Sequence, residues 1–306
     1  MQSIQIAVVS ATAMAFAMVA WASIARPLGL LDTPDGIRKH HEGVIPLVGG
    51  PALFTVLVLV ALVMPSGVFD LPFLLIAGAA VTVGALDDRL DLSPTLRLGV
   101  QLVIAALVVA VAGHGLEHLG DLGGPGLRLE LGAFGPWFTV AALAAAMNAF
   151  NMLDGTDGQT AGISLVALAG LLAASLLAGQ SPSPFVIAVA AALPVFLFFN
   201  LVRPDGPVPK CFLGDSGALL LGLFVGCALI DASQTAAPVL NPVTVLWLAA
   251  LPLFDTFFVM GYRLVHKRSP LSADRNHVHH LLVDHGLGPR QGLLVALAAA
   301  TIVAVL

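Results

Sequence analysis

Long apolar runs alternate with short polar stretches from one end of the chain to the other, and the runs are continuous, not two-residue alternations. Continuous runs of this length predict membrane-crossing helices, whereas a barrel strand would alternate. Ten spans are expected, at roughly 4–22, 47–64, 71–86, 97–113, 134–150, 162–179, 185–202, 216–230, 243–261 and 291–306. Several fall short of the ~20 residues that a bilayer asks for. No period-two segment and no internal repeat stands out. The expected fold is all-α: a polytopic integral membrane protein forming one bundle of about ten transmembrane helices over residues 1–306. Met1 to Trp21 has no Lys or Arg ahead of its apolar run, so it reads as a retained first span, not as a cleaved signal peptide.

Composition agrees with that pattern. The chain is 58% hydrophobic and only 10% charged, against about 25% charged in a soluble domain. Cys211 and Cys227 are too few for a disulfide framework and are expected to be reduced. The net charge of −5 says less than its distribution. Ten spans sort the loops into two sets, and one set holds 12 of the 13 Lys and Arg residues, the other only Arg128. The positive-inside rule makes the rich set cytoplasmic and puts both termini outside. The same side carries 13 of the 18 acids and seven of the nine histidines. All the candidate chemistry is therefore on one face.

Five stretches carry it. Asn148 to Gly158 reads Asn-Ala-Phe-Asn-Met-Leu-Asp-Gly-Thr-Asp-Gly and places Asn148, Asn151, Asp154 and Asp157 at three-residue steps. Its plain alternative is a polar loop with glycine turns, but four oxygen-bearing side chains at a membrane edge are costly unless used, and such oxygens suit a hard cation. Leu86 to Pro94 contains adjacent Asp87 and Asp88, which cannot share a helix face and which repel without a counter-cation. Lys210 to Gly217 places Asp215 and Ser216 between glycines where a span begins, a pattern that fits either an N-cap or a phosphate site. Arg263 to His285 is the longest inner loop. Its His277, His279 and His280 lack the cysteines or distant partner of a zinc site and favour anion or phosphate binding. Gly29 to Gly50 holds Arg38, Lys39, His40 and His41, and alone reads as an inner loop.

Carboxylates for a divalent cation, beside Arg, Lys and His for phosphates, are what phosphoryl transfer needs. Membrane burial adds a lipid substrate. A metal- or proton-coupled transporter is the alternative from another class, but it would need ionisable groups at mid-span, and these are nearly absent.

In their order, these five motifs resemble the polyprenyl-phosphate N-acetylhexosamine-1-phosphate transferases, glycosyltransferase family 4, over nearly the whole chain. The likeness is strongest to the branch that transfers GlcNAc-1-phosphate to undecaprenyl phosphate, on Arg38 to Gly50, Ala149 to Gly158 and Ser272 to Leu282. The resemblance implies that a lipid phosphate attacks UDP-GlcNAc, giving undecaprenyl-diphosphate-GlcNAc and UMP, at the start of a cell-envelope polysaccharide. It implies Mg2+, with Mn2+ as a substitute, a cytoplasmic cleft in a bacterial inner membrane, membrane lipid around it, often a homodimer, and no nucleic-acid partner. It assigns the metal to Asp215 and Asn151. Phe212 is implied to stack on uracil and Asp157 to hydrogen-bond it. Asp87 and Asp88 match the paired aspartates, with Asp87 the usual candidate for activating the lipid phosphate. Arg38 and Lys39 match a basic pair near the nucleotide. Arg275, His277, His279 and His280 match the loop that reads sugar and pyrophosphate. Asp154 lies near nucleotide or metal and joins Asp87, Asp88 and His279 as a catalytic candidate. Sister enzymes use other UDP-N-acetyl sugars, a 6-deoxy sugar or MurNAc-pentapeptide. The Asp-Arg-x-His-x-His-His form of the last loop favours a plain N-acetylhexosamine. Two departures are visible: Gln159 where the family more often has Leu, and a chain end about where a further C-terminal helix would begin.

Overall fold

The structure is a computed structural model and describes residues 1–34, 43–64, 68–122, 124, 126–202, 208–235, 237–270 and 276–305. Each predicted apolar run is helical. The helices are α1 (Gln2–Leu28), α2 (Gly49–Val63), α3 (Leu71–Leu90), α4 (Pro94–Leu107), α5 (Gly135–Leu153), α6 (Gln159–Leu177), α7 (Pro184–Leu201), α8 (Gly214–Gln234), α9 (Pro242–Leu248), α10 (Ala250–Val265), α11 (Val278–Asp284) and α12 (Pro289–Val305). A π turn, Val108–Ala112, extends α4. A two-residue antiparallel pair, β1 (Leu31–Asp32) with β2 (Ile45–Pro46), is the strand content of the described residues.

The described residues do not confirm the expected count of ten spans. Seven of the described helices are long and apolar enough to cross a membrane, or eight if α9 and α10 are taken together. α2 has 15 residues, about 22 Å at 1.5 Å per residue, and α12 has 17. The ninth expected span is broken at Ala249, where α9 and α10 meet at 85°. Long apolar side chains face outward around the bundle, among them Phe16, Leu75, Trp137 and Leu177. In water so much exposed apolar surface would drive association; against lipid it is the ordinary exterior.

α8 is the axis. A helix that is apolar all round belongs in the interior, and almost every residue of α8 is buried. α2, α3, α5 and α6 pack around it. Small residues let the backbones come close. A Cβ on Gly222 would lie 2.6 Å from Met147 Cα of α5.

The polar contacts gather at the two ends of the bundle. The start of α2 hydrogen-bonds the start of α8, through Gly49 N–H to Phe212 O and Gly50 N–H to Leu213 O. The end of α3 meets the same place, through Asp88. The far end holds His114 with Asp231, and Gln234 with the backbone of Glu117 and His118.

The tight α5–α8 contact is testable. Gly222→Ala forces overpacking at a cost of about 1–3 kcal/mol and lowers the thermal unfolding midpoint in detergent. Gly99→Ala, whose methyl meets nothing within 4 Å, leaves that midpoint unchanged or raises it.

Candidate active site

The site is built where four helix ends converge. Asp87 and Asp88 lie in the last turn of α3 and, as adjacent helical residues, point in different directions. Asp87 is buried. Its carboxylate accepts the Leu92 N–H at 2.9 Å and pairs with Arg97 Nη1 of α4 at 3.2 Å. Asp88 turns to α8, where its oxygens accept the N–H groups of Asp215 at 2.8 Å and Ser216 at 3.4 Å. The first amides of a helix have no partners within it, and here a carboxylate from another helix takes two of them. Gly214 makes room: its φ is +73°, and a Cβ there would sit 2.7 Å from Asp88 Oδ2. Of the two readings of this helix start, N-cap or phosphate site, neither accounts for the Asp215 and Ser216 amides, which Asp88 takes.

With its backbone held, Asp215 directs its side chain into the cluster. Oδ1 accepts from Asn151 Nδ2 of α5 at 2.8 Å, and the carboxyl feels the charge of Asp87. Two interacting carboxyls are stabilised by a shared cation. Asp154 caps α5 just outside the span. Burial of its carboxyl, with the charges of Asp215 and Asp157 and against a hydrogen bond from Thr160, pushes its pKa up to about 7. A cation among these groups would reverse that shift by favouring the charged form.

Among the described residues no group of three or more His, Cys, Asp or Glu side chains forms a ready-made metal cage. The donors fit magnesium nonetheless. Mg2+ is held by hard oxygens, usually one or two carboxylates completed by substrate phosphates and water. Asp215, Asp87 and the amide oxygen of Asn151 are such a set.

A second group borders the first. Asp157 forms an ion pair with Lys210, whose ammonium stands 5.6 Å from the Phe212 ring centroid. Phe212 is fixed by its backbone, donating to Pro46 O at 2.8 Å beside β2. Lys210 was not singled out from the sequence, nor was Arg97. Their acidic partners are 53 and 10 residues away, so only the fold reveals the pairs. Gln159 sits buried at the start of α6, its Oε1 accepting the Thr156 hydroxyl at 2.6 Å.

The histidines form the third group. His277 Nδ1 lies 2.7 Å from Asp255 Oδ2. His279 is buried, lies parallel to His277 with centroids 5.8 Å apart, and has the His280 ring 4.2 Å away. Burial, then the neighbouring His280 and His277, lower the His279 pKa to about 4, so its ring is neutral at physiological pH. Its Nδ1 is buried without a partner among the described residues. The ring rests on Gly155, where a Cβ would come 2.1 Å from Nε2. That contact joins the histidine group to the loop carrying Asp154 and Asp157. Arg38, Lys39 and Arg275 lie outside the described residues. Cys211 and Cys227 are both free and buried.

Residues 71–233, the stretch from α3 through α8 that carries most of this cluster, match glycosyl transferase family 4. Relatives agree over almost the full chain. The Yersinia pestis protein named undecaprenyl-phosphate alpha-N-acetylglucosaminyl 1-phosphate transferase is 40% identical over 291 residues, covering 94% of this chain and 78% of its own. The Salmonella typhi protein of that name is 40% identical over 92% of this chain and 76% of its own. That of Escherichia coli strain K12 is 37% identical over 92% and 77%. The chain belongs to glycosyl transferase family 4. It is a multi-pass membrane member of bacterial type. In this glycosyl transferase the histidine group is held against the acidic loop by one glycine. Gly155→Ala is expected to displace the His279 ring and lower turnover by about 10²-fold, the scale of a 1 Å misplacement, with little change in thermal midpoint. Steady-state kinetics beside a melting curve checks both halves.

Proposed function

We propose that the chain transfers GlcNAc-1-phosphate from UDP-GlcNAc to undecaprenyl phosphate, giving undecaprenyl-diphosphate-GlcNAc and UMP. The supporting observation is the convergence of Asp87, Asn151, Asp154 and Asp215 at one end of a membrane bundle. Relatives at 37–40% identity bear the name of that activity. The positive-inside pattern supports a cytoplasmic site, reached by the nucleotide from water and by the lipid from the bilayer, with both termini outside.

An oxygen of the lipid phosphate attacks the β-phosphorus of the donor. The bond from that phosphorus to the oxygen bridging the α-phosphate breaks, and UMP leaves with the electron pair. A phosphate monoester has a second pKa of about 6 and is mostly dianionic at neutral pH, so little base catalysis is needed. Asp87, engaged by Arg97 and by the Leu92 amide, is suited to orientation or metal contact. Bound by Asp215, Asp87 and Asn151, magnesium, or manganese in its place, would neutralise charge on the pyrophosphate. Phe212 offers a face for uracil, and Lys210, exchanged from Asp157, a cation for the nucleotide phosphates. The neutral ring of His279 and its neighbours His277 and His280 would meet the sugar and pyrophosphate from the loop side.

Purified protein with magnesium, undecaprenyl phosphate and a panel of UDP-sugars is expected to release UMP with UDP-GlcNAc. Asp215→Ala is expected to lose turnover and metal binding together. Absence of UMP with every sugar would overturn the enzyme reading, preference for another sugar would move it to a sister activity, and near-normal turnover of Asp215→Ala would remove the metal assignment.

A further inference from the structure

α10 contains an acid where a membrane helix is expected to be apolar. Its lipid side carries Phe254, Phe257 and Phe258, each more than half exposed, while Asp255, Val259 and Arg263 are buried on the other. A carboxyl inside an apolar helix is costly unless something uses it. Both oxygens of Asp255 are in use. Oδ2 lies 2.7 Å from His277 Nδ1, and Oδ1 accepts the Val278 N–H at 2.7 Å. These contacts reach 22 and 23 residues along the chain, from the inner limb of the broken span to the first turn of α11.

The chemistry of the pair fixes the ring. A carboxylate only accepts, so the imidazole presents its Nδ1–H to Asp255 and leaves Nε2, on the far side of the ring, for another partner. Nε2 of His277 makes no hydrogen bond among the described residues, while the ring plane lies within 5° of that of His279. The second bond, to the Val278 amide, ties down the N-terminus of α11 and so sets where His279 and His280 begin.

We infer that Asp255 is a positioning residue for the transfer reaction, holding His277 in the Nδ1-protonated tautomer so that the Nε2 lone pair is left to accept a hydrogen bond from the sugar of the donor. The inference rests on the function proposed above. Asp255 acts through His277 and touches no substrate. The broken span contributes by bringing α10 under the histidine loop: the bend at Ala249 precedes Asp255 by less than two helical turns.

Asp255→Asn preserves size and can still accept the Val278 N–H, but then turns an NH2 group towards Nδ1. Two donors cannot face each other, so the proton moves to Nε2 and the tautomer inverts. The expected result is a kcat lower by about 10- to 100-fold, the usual scale for losing the partner that orients a histidine, with a smaller change in KM. Asp255→Glu recovers part of the loss. In a His277→Ala background, adding Asp255→Asn has little further effect, because both changes remove one unit. Losses that multiply across the two sites would overturn the inference. A second readout is independent of turnover: 15N spectra of histidine-labelled protein, with the His277 signals assigned by loss in His277→Ala. An Nδ1-protonated ring in the unaltered protein that becomes Nε2-protonated in Asp255→Asn supports the assignment. An Nε2-protonated ring in the unaltered protein overturns it, whether or not UMP is released. Failure of UMP release with a correct tautomer would instead count against the proposed function alone.

Discussion

The active end of this protein depends on one carboxylate meeting the first turn of a buried helix. Asp88 leaves α3 and takes the Asp215 and Ser216 amides at the start of α8. A carboxyl group at the positive end of a helix is favourably placed, and the unpaired amides gain partners. Because α8 is buried along its length, its position is set by packing with α2, α3, α5 and α6. Asp88 then fixes its end. Asp215 sits one residue inside that end, and its side chain is left to meet Asn151 and Asp87. The paired aspartates therefore divide their work. Asp87 is tied to Arg97 at the rim of the oxygen cluster, while Asp88 is spent on architecture.

From that anchor the site extends in two directions. Phe212 and Lys210 lie on the segment leading into α8, where Phe212 is hydrogen-bonded to β2 through its backbone and Lys210 reaches Asp157 of the α5–α6 loop. The histidines approach from the opposite side, carried by α11 and held by α10 through Asp255. Gly155 is the point of contact between the two. Oxygen donors, a nucleotide-sized aromatic and basic face, and a row of imidazoles are thus supplied by separate parts of the chain. Each is positioned by a contact that a single substitution can remove.

The apolar spans were legible in the sequence because burial in lipid demands long uninterrupted runs, and no other constraint produces them so regularly. The grouping of chemistry on one face was legible from the basic residues. The 85° break at Ala249 was not, since the run from 243 to 261 is apolar on both sides of it and only packing shows the turn. Asp255 illustrates the cost: counted with the inner-face acids, it is in fact a helical residue paired with a histidine 22 positions on. Asp88 was read as a catalytic candidate through its match to the paired aspartates of the family; its hydrogen-bond partners, 127 and 128 residues away on another helix, had no part in that reading. Such pairings leave no spacing signature. Residue types and loop membership were readable; partners were not.

Metal affinity in variants of Asp88 tests the central claim most directly, because Asp88 lies outside the proposed ligand set and acts on it only through the backbone of α8. Mn2+ binding to detergent-solubilised protein can be followed by the loss of the free-ion paramagnetic resonance signal. The account predicts that Asp88→Ala weakens binding by about 10- to 100-fold, as for loss of a group that orients a ligand, although Asp215, Asp87 and Asn151 all remain. Asp88→Asn, which keeps one oxygen acceptor, should fall between the two. Unchanged Mn2+ affinity in Asp88→Ala would contradict the account.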